Sequence, residues 1–234
     1  MLDGAKIAVV IPSYNEARWI GETVSTIPGF VDEIVVVDDA SSDDTAARAV
    51  EAGGGRVSIV RHDENRGVGA AIVAGYRAAL GRGAQVIAVM AGDGQMHPDD
   101  LSTVVRPVAE RRFDYVKGNR LSHPDASRIM PLSRLAAGFV LGWLTALAIG
   151  RPGLSDSQCG YTAISAKAAG AIDLDAVWPG YGYPNDILGR VARAGLSIGE
   201  VGVRPVYRGE ASGVRPWHVG TVLFLLVRAA VRRA

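Results

Sequence analysis

Only one cysteine, Cys159, occurs among the 234 residues, so no disulfide can form within the chain and a reducing compartment is the simpler expectation. Neither charge is in surplus: 25 Lys and Arg stand against 24 Asp and Glu. Nucleic-acid binders usually carry a basic excess, so no nucleic-acid partner is expected. The four histidines, at 62, 97, 123 and 218, lack metal-ligand spacing. Asn65 to Gly69 lacks the full glycine pattern and the lysine of a phosphate-binding loop, and reads as a structural loop opening a helix. No signal-peptide charge pattern precedes the first strand-like segment, so a cytoplasmic protein is expected.

What is present suits one globular domain, with 48% hydrophobic and 21% charged residues. Apolar runs of strand length alternate with helical patterns. Strands are expected at Lys6–Ile11, Glu33–Val37, Val57–Arg61, from Val86, and at Tyr115–Lys117, with helices over Ala17–Ile27, Thr45–Glu51, Ala70–Leu80 and Pro98–Arg111. This alternation predicts an α/β domain with a mostly parallel central sheet and helices on both faces. Ligands of such sheets bind beyond the carboxyl ends of the strands. Three polar loops fall there: Pro12 to Glu16, Asp38 to Asp43, and Asp93 to Gln95.

The alternation stops after Arg120. Leu135 to Gly150 carries no charge over 16 residues. As a helix it would extend about 24 Å, short of the roughly 30 Å hydrocarbon core, so it reads as a core, subunit-interface or membrane-surface helix and not a span. Leu154 to Tyr161 and Trp178 to Asp186 read as loops, Ile187–Ala194 as a helix and Val201–Tyr207 as a last strand. From Val201 onward six Arg (204, 208, 215, 228, 232 and 233) face one acid, Glu210, a tail suited to anionic phosphate groups. Residues 217–234 read as a short amphipathic helix appended to a domain of residues 1–216.

The ordered motifs PSYNE, VVDDASSDDT, NRGVGAAIVAGY, AGDGQMHPDDL, KGNR and SDSQCGY resemble the family 2 glycosyltransferases of GT-A (Rossmann-like) fold, most closely the polyprenyl (dolichyl) phosphate sugar synthases, over about residues 6 to 215. The resemblance implies that Pro12, Tyr14 and Glu16 border a nucleotide base and that Asp39 contacts base or ribose. It implies that Asp93 binds a divalent cation, Mg²⁺ or Mn²⁺, with Gln95 as a further oxygen ligand. Arg120 and Arg208 correspond to arginines near the substrate phosphates, where a guanidinium fork suits phosphate oxygens. Two positions depart from the pattern: Ala91 stands where an acid is common, and Gly209 to Gly213 lacks the usual lysine, for which Arg215 is the nearest replacement.

The partners so implied are a UDP- or GDP-linked sugar and a polyprenyl phosphate, with the protein peripheral at the inner face of the cell membrane and a homo-oligomer admitted. A phosphate acceptor is already anionic and needs no strong base. A sugar hydroxyl needs one, for which Asp186 and then Asp156 are the candidates; Asp156 and Gln158 otherwise read as acceptor-side or loop residues. The expectations are therefore an inverting transfer to polyprenyl phosphate with Asp93, Arg120 and Asp186 as catalytic candidates, the same donor chemistry with a soluble hydroxyl acceptor, or an impaired nucleotide-sugar-binding protein.

Overall fold

The computed structural model describes residues 1–207 and 216–231. Among them, seven strands form one sheet: β1 (Ile7–Ser13), β2 (Glu33–Asp38), β3 (Val57–Arg61), β4 (Val86–Val89), β5 (Tyr115–Asn119), β6 (Thr162–Ser165) and β7 (Ile198–Gly202), in the order β3-β2-β1-β4-β6-β5-β7. The helices are α1 (Ile20–Ser25), α2 (Thr45–Gly53), α3 (Val68–Gly81), α4 (Leu101–Ala109), α5 (Ala126–Ile129), α6 (Leu132–Ile149), α7 (Ala166–Ala171), α8 (Tyr183–Arg193) and α9 (Pro216–Val231).

The central strands are runs of β-branched residues because both of their faces are covered. Ile7, Val9 and Ile11 of β1 pack on one side with Ile20, Val24, Leu101 and Val104 of α1 and α4. Ala8 and Val10 point to the other side, into a core with Ile72 and Tyr76 of α3 and Leu188 of α8. The strand period of two thus divides one apolar run between two cores.

All pairings are parallel except those of β6, which runs antiparallel to both β4 and β5. Consequently β4 and β5 point the same way, and the carboxyl ends of β1, β2, β4 and β5 share one edge. The chain enters β6 from that same edge, which brings residues 155–161 to it.

Four expectations need correction, one being that α8 begins at Tyr183, so residues 183–186 are helix and not loop, with Pro184 in the first turn where its missing N–H costs nothing. The first helix begins at Ile20, because residues 16–19 form a turn in which Trp19 N and Ile20 N both donate to Glu16 O at 2.9 Å. The last strand is Ile198–Gly202; beyond it Arg204 N donates to the Asp100 carboxylate at 2.8 Å, and Pro205 has no N–H for a ladder. The antiparallel β6 was not anticipated, since a strand of four residues, three of them buried, carries no readable period.

Helix α6 starts at Leu132 and has 18 residues, which by length and composition alone is enough to cross a membrane. Gly142, Thr145, Ala146 and Ile149 face the domain, whereas Phe139, Val140, Trp143 and Leu147 are exposed. Helix α9 packs on α6 and α8, burying Val222, Leu225, Leu226 and Ala229 and exposing Leu223, Phe224 and Val227.

Candidate active site

Loops following β1, β2 and β4 enclose a cleft of about 310 Å³, lined by Pro12, Tyr14, Glu16, Asp39, Ala91 and Asp93 together with Asn65, Gly67 and Val68. The loops lock onto one another through backbone donors. Asn15, in the left-handed region at φ 56°, accepts from Ser42 N at 2.9 Å through its side chain, while its own N–H donates to Ser41 Oγ at 2.9 Å. Glu16 N donates to Thr45 Oγ1 at 2.8 Å. Two loops separated by a helix and a strand therefore behave as one rim.

Asp38 and Asp39 occupy different roles on that rim. Asp38 accepts from Ser41 N at 2.9 Å and lies 3.4 Å from Arg61 Nε. Asp39 is buried, and its two oxygens accept from Arg66 N at 3.0 Å and Gly67 N at 2.8 Å. His62 Nδ1 lies 2.6 Å from the same carboxylate, which makes the imidazole the donor of this pair. Asp39 thus ties residues 62–67 to the floor of the cleft.

Asp93 sits in a tight turn after β4, its Oδ1 accepting from Gln95 N at 2.9 Å, with Gly94 at φ 71°. Among the described residues no cluster of three or more His, Cys, Asp or Glu is placed to hold a metal. Asp38 and Asp39 are engaged as above, and Ala91 contributes no oxygen. The turn itself carries the Asp93 carboxylate and the Gln95 amide, a donor set that suits a hard ion held in large part by substrate phosphates and water, as Mg²⁺ usually is.

On the far side of the same edge, Arg120 follows β5. The Asp156 carboxylate takes its guanidinium in a two-pronged pair, Nε to Oδ2 at 2.8 Å and Nη2 to Oδ1 at 3.1 Å, and accepts from its backbone N–H at 3.0 Å. Asp156 has no exposed surface, whereas the Arg120 side chain is 30% exposed. Burial pushes the Asp156 carboxyl up, but Arg120 and Lys117 outweigh it and hold the group below the usual carboxylate range. Glu200 of β7 supports this pair, accepting from Ser155 N at 3.0 Å, Asp156 N at 3.1 Å and Asn119 Nδ2 at 3.2 Å. Lys117 is fully buried and donates to Cys159 O; desolvation pushes its pKa down.

The remaining sequence candidates take other places. Gln158 donates to Asn185 Oδ1 at 2.9 Å, and Asn185 donates to Thr145 Oγ1 at 2.8 Å, joining the 155–161 loop to α8 and α6. Asp186 does not line the cleft. It is buried, its Oδ2 accepting from Trp178 N at 2.8 Å and Arg190 Nε at 3.0 Å and its Oδ1 from Arg228. In place of the general-base expectation, Asp186 sits away from the cleft in a structural ion-pair cluster with Arg190 and Arg228, and Asp156 is engaged as the two-pronged partner of Arg120. Arg208 lies outside the described residues. Glu200 escaped sequence reasoning, its only signal an acid inside an otherwise uncharged strand; Arg228, read with the other C-terminal arginines as suited to anionic phosphate groups, instead pairs with Asp186.

The edge just described carries a polar cleft over one set of parallel strand ends and a fixed arginine over another. The chain belongs to glycosyl transferase family 2, whose model matches residues 8–171. It is 29% identical to a UDP-N-acetylglucosamine–dolichyl-phosphate N-acetylglucosaminyltransferase of Methanococcus voltae, covering 86% of each chain. It is 33% identical to an undecaprenyl-phosphate mannosyltransferase of Micrococcus luteus, covering 87% of this chain and 84% of that one. The glucosyl-3-phosphoglycerate synthase of Mycobacterium tuberculosis, solved with Mn²⁺, UDP and phosphoglyceric acid, shares the fold at a TM-score of 0.70 and 22% identity, covering 98% of this chain and 78% of that one.

Proposed function

We propose that this chain is an inverting glycosyltransferase that moves a sugar from a UDP- or GDP-linked donor to a polyprenyl phosphate at the cytoplasmic face of the membrane. The observation that carries this reading is the Arg120–Asp156 pair at the same sheet edge as the Asp93 turn. Its rigid fork suits an acceptor phosphate, and among the described residues the carboxylate beside it, Asp156, is already committed to the pair. The names of the two polyprenyl- and dolichyl-phosphate relatives support the acceptor class.

In this reading Pro12, Tyr14 and Glu16 receive the base, while Asp39 keeps residues 62–67 in place beneath the ribose. Asp93, with Gln95, would hold Mg²⁺ or Mn²⁺, which would supply charge neutralisation for the departing nucleoside diphosphate. Arg120 orients the acceptor phosphate so that one of its oxygens attacks the anomeric carbon opposite the breaking bond to the diphosphate. The new bond forms with inversion, and no proton has to be removed. Arg208 is assigned to the substrate phosphates on the resemblance alone.

The apolar outer faces of α6 and α9 lie on neighbouring helices and fit the surface of the bilayer that holds the acceptor. Incubation with undecaprenyl phosphate, Mg²⁺ or Mn²⁺ and a panel of UDP- and GDP-sugars should yield a lipid-linked sugar and released nucleoside diphosphate. Absence of product with every donor defeats the proposal. Ala91 keeps a non-catalytic nucleotide-sugar binder as the second reading, which multiple turnovers would eliminate. Transfer to a soluble saccharide hydroxyl and not to undecaprenyl phosphate would replace the phosphate acceptor with a hydroxyl one.

A further inference from the structure

One wall of the cleft depends on a segment remote from it. The turn before α3 contributes Asn65, Gly67 and Val68 to the lining, and Asp39 grips its backbone at Arg66 and Gly67. From behind, residues 178–180 press on this turn: Pro179 O accepts from Gly69 N at 2.7 Å and Ala70 N at 3.1 Å. The approach is so close that a Cβ on Gly69 would lie 2.1 Å from Trp178 O, which only glycine permits.

That strap is itself held by α9. Trp178 N donates to Asp186, whose other oxygen accepts from Arg228 of α9. The rings of Trp178 and Phe224 are 6.3 Å apart at 58°, a tilted aromatic contact. Gly182, at φ 104°, is covered by Leu225, whose Cδ1 would be 2.8 Å from an added Cβ. Arg190, on the other side of Asp186, donates to Asp173 O at 3.2 Å and to Ala176 O, closing the base of the strap. Three contacts from one helix thus converge on residues 178–186, and the outward side of that helix is apolar.

We propose that Asp186 is a positioning residue for the donor cleft, and that Arg228 makes its placement depend on the seating of α9. Chain and charge lead in one line from Arg228 to Asp186, Trp178–Pro179, Gly69–Ala70 and the cleft wall. Loosening α9 releases the strap and widens the cleft, so the affinity for the nucleoside diphosphate falls while the attack itself is untouched. A helix that fits a lipid surface on its outer side is in this way also the buttress of the donor site. The ligand assigned to the cleft rests on the reading under Proposed function; the linkage itself rests on geometry alone.

Two measurements on the full chain separate these. In Arg228→Met, hydrogen exchange at the Gly69 and Ala70 amides should accelerate on the order of tenfold, with the amides of β1 and β4 unchanged. The Kd for UDP or GDP with Mn²⁺, whichever the wild type binds, should weaken about fivefold, and Arg228→Lys should recover most of both effects. Phe224→Ala, which leaves the ion pairs intact, should act in the same direction more weakly. Unchanged exchange at Gly69 and Ala70 overturns the linkage. A uniform acceleration that includes β1 and β4, in both Arg228→Met and Phe224→Ala, reduces Asp186 to a merely structural residue and also overturns it. Faster local exchange with an unaltered Kd overturns the positioning role. If the wild type binds neither nucleotide, the donor reading fails, and the exchange result alone decides the linkage.

Discussion

The two halves of the sheet place their polar groups by different means. In β3-β2-β1-β4 every pairing is parallel, and the cleft residues follow directly from the strands that carry them: Asp39 from β2, Asp93 from β4. In β6-β5-β7 the groups are fixed by buried ion pairs between distant segments. The Arg120–Asp156 ion pair spans 36 residues and the hydrogen bond from Asp156 N to Glu200 spans 44, while the Asp186–Arg228 ion pair beside this half joins α8 to α9 across 42. The first half presents carboxylates by backbone geometry, whereas the second neutralises them against arginine. Substitutions in the first half should therefore affect chemistry with little cost to the fold, and those in the second should affect both.

The widest separation is expected at Asp93. Asp93→Ala should lower kcat/KM on the order of 100-fold or more and weaken Mn²⁺ binding measured calorimetrically with the nucleotide, while the melting temperature changes little. Preserved kcat/KM would remove the turn from the site. Asp156→Asn should lose turnover and also about 3 kcal/mol of stability, because the buried end of an ion pair is removed. Its carboxyl has a folded-state pKa below the ordinary 3.8, so its stabilising contribution is complete above that pH and is lost as pH falls toward the folded-state value. Acid unfolding followed by circular dichroism should accordingly be steeper below pH 3.8 in the wild type than in the Asn variant. Equal slopes would mean that the pair adds nothing to stability.

A smaller effect, confined to the second half, concerns its exposed face. Phe139 and Trp143, 50% and 62% exposed, should tolerate replacement by Ser at about 0.5 kcal/mol each, yet the double variant should lose about tenfold in binding to vesicles containing anionic lipid. A changed oligomeric state with unchanged vesicle binding would assign the face to a second copy of the chain. The mildest change is Ala91→Asp, which adds an oxygen ligand beside Asp93 and should tighten Mn²⁺ about threefold with the nucleotide bound. No change would mean that substrate phosphates dominate the ion's coordination.

The same contrast governs what could be read from the residues alone. β1, β2 and β4 were legible because buried parallel strands are continuous apolar runs closed by polar loops, and the positions of Asp39 and Asp93 at their carboxyl ends came with them. Asp186 and Arg228 were not legible as partners, since nothing local distinguishes an aspartate aimed at a substrate from one that meets an arginine 42 residues later. β6 was missed for a related reason: four residues between a polar loop and a helix take strand form only because two neighbours offer edges on either side. Gly67 and Gly69 had no interpretable spacing until the close approach of Trp178 and Pro179 explained them.

The antiparallel insertion of β6 also has a consequence for biosynthesis. As the chain leaves the ribosome, β1 to β4 can assemble once residue 89 is out, but β4 then ends in an open apolar edge, Val86–Val89, whose partner begins only at Thr162. β5 emerges before that partner yet does not pair with β4 in the finished sheet. Through this interval the nascent half-sheet displays the kind of edge that invites pairing with other chains. Slow synthesis between residues 90 and 162 should thus be a point at which the protein depends on a chaperone.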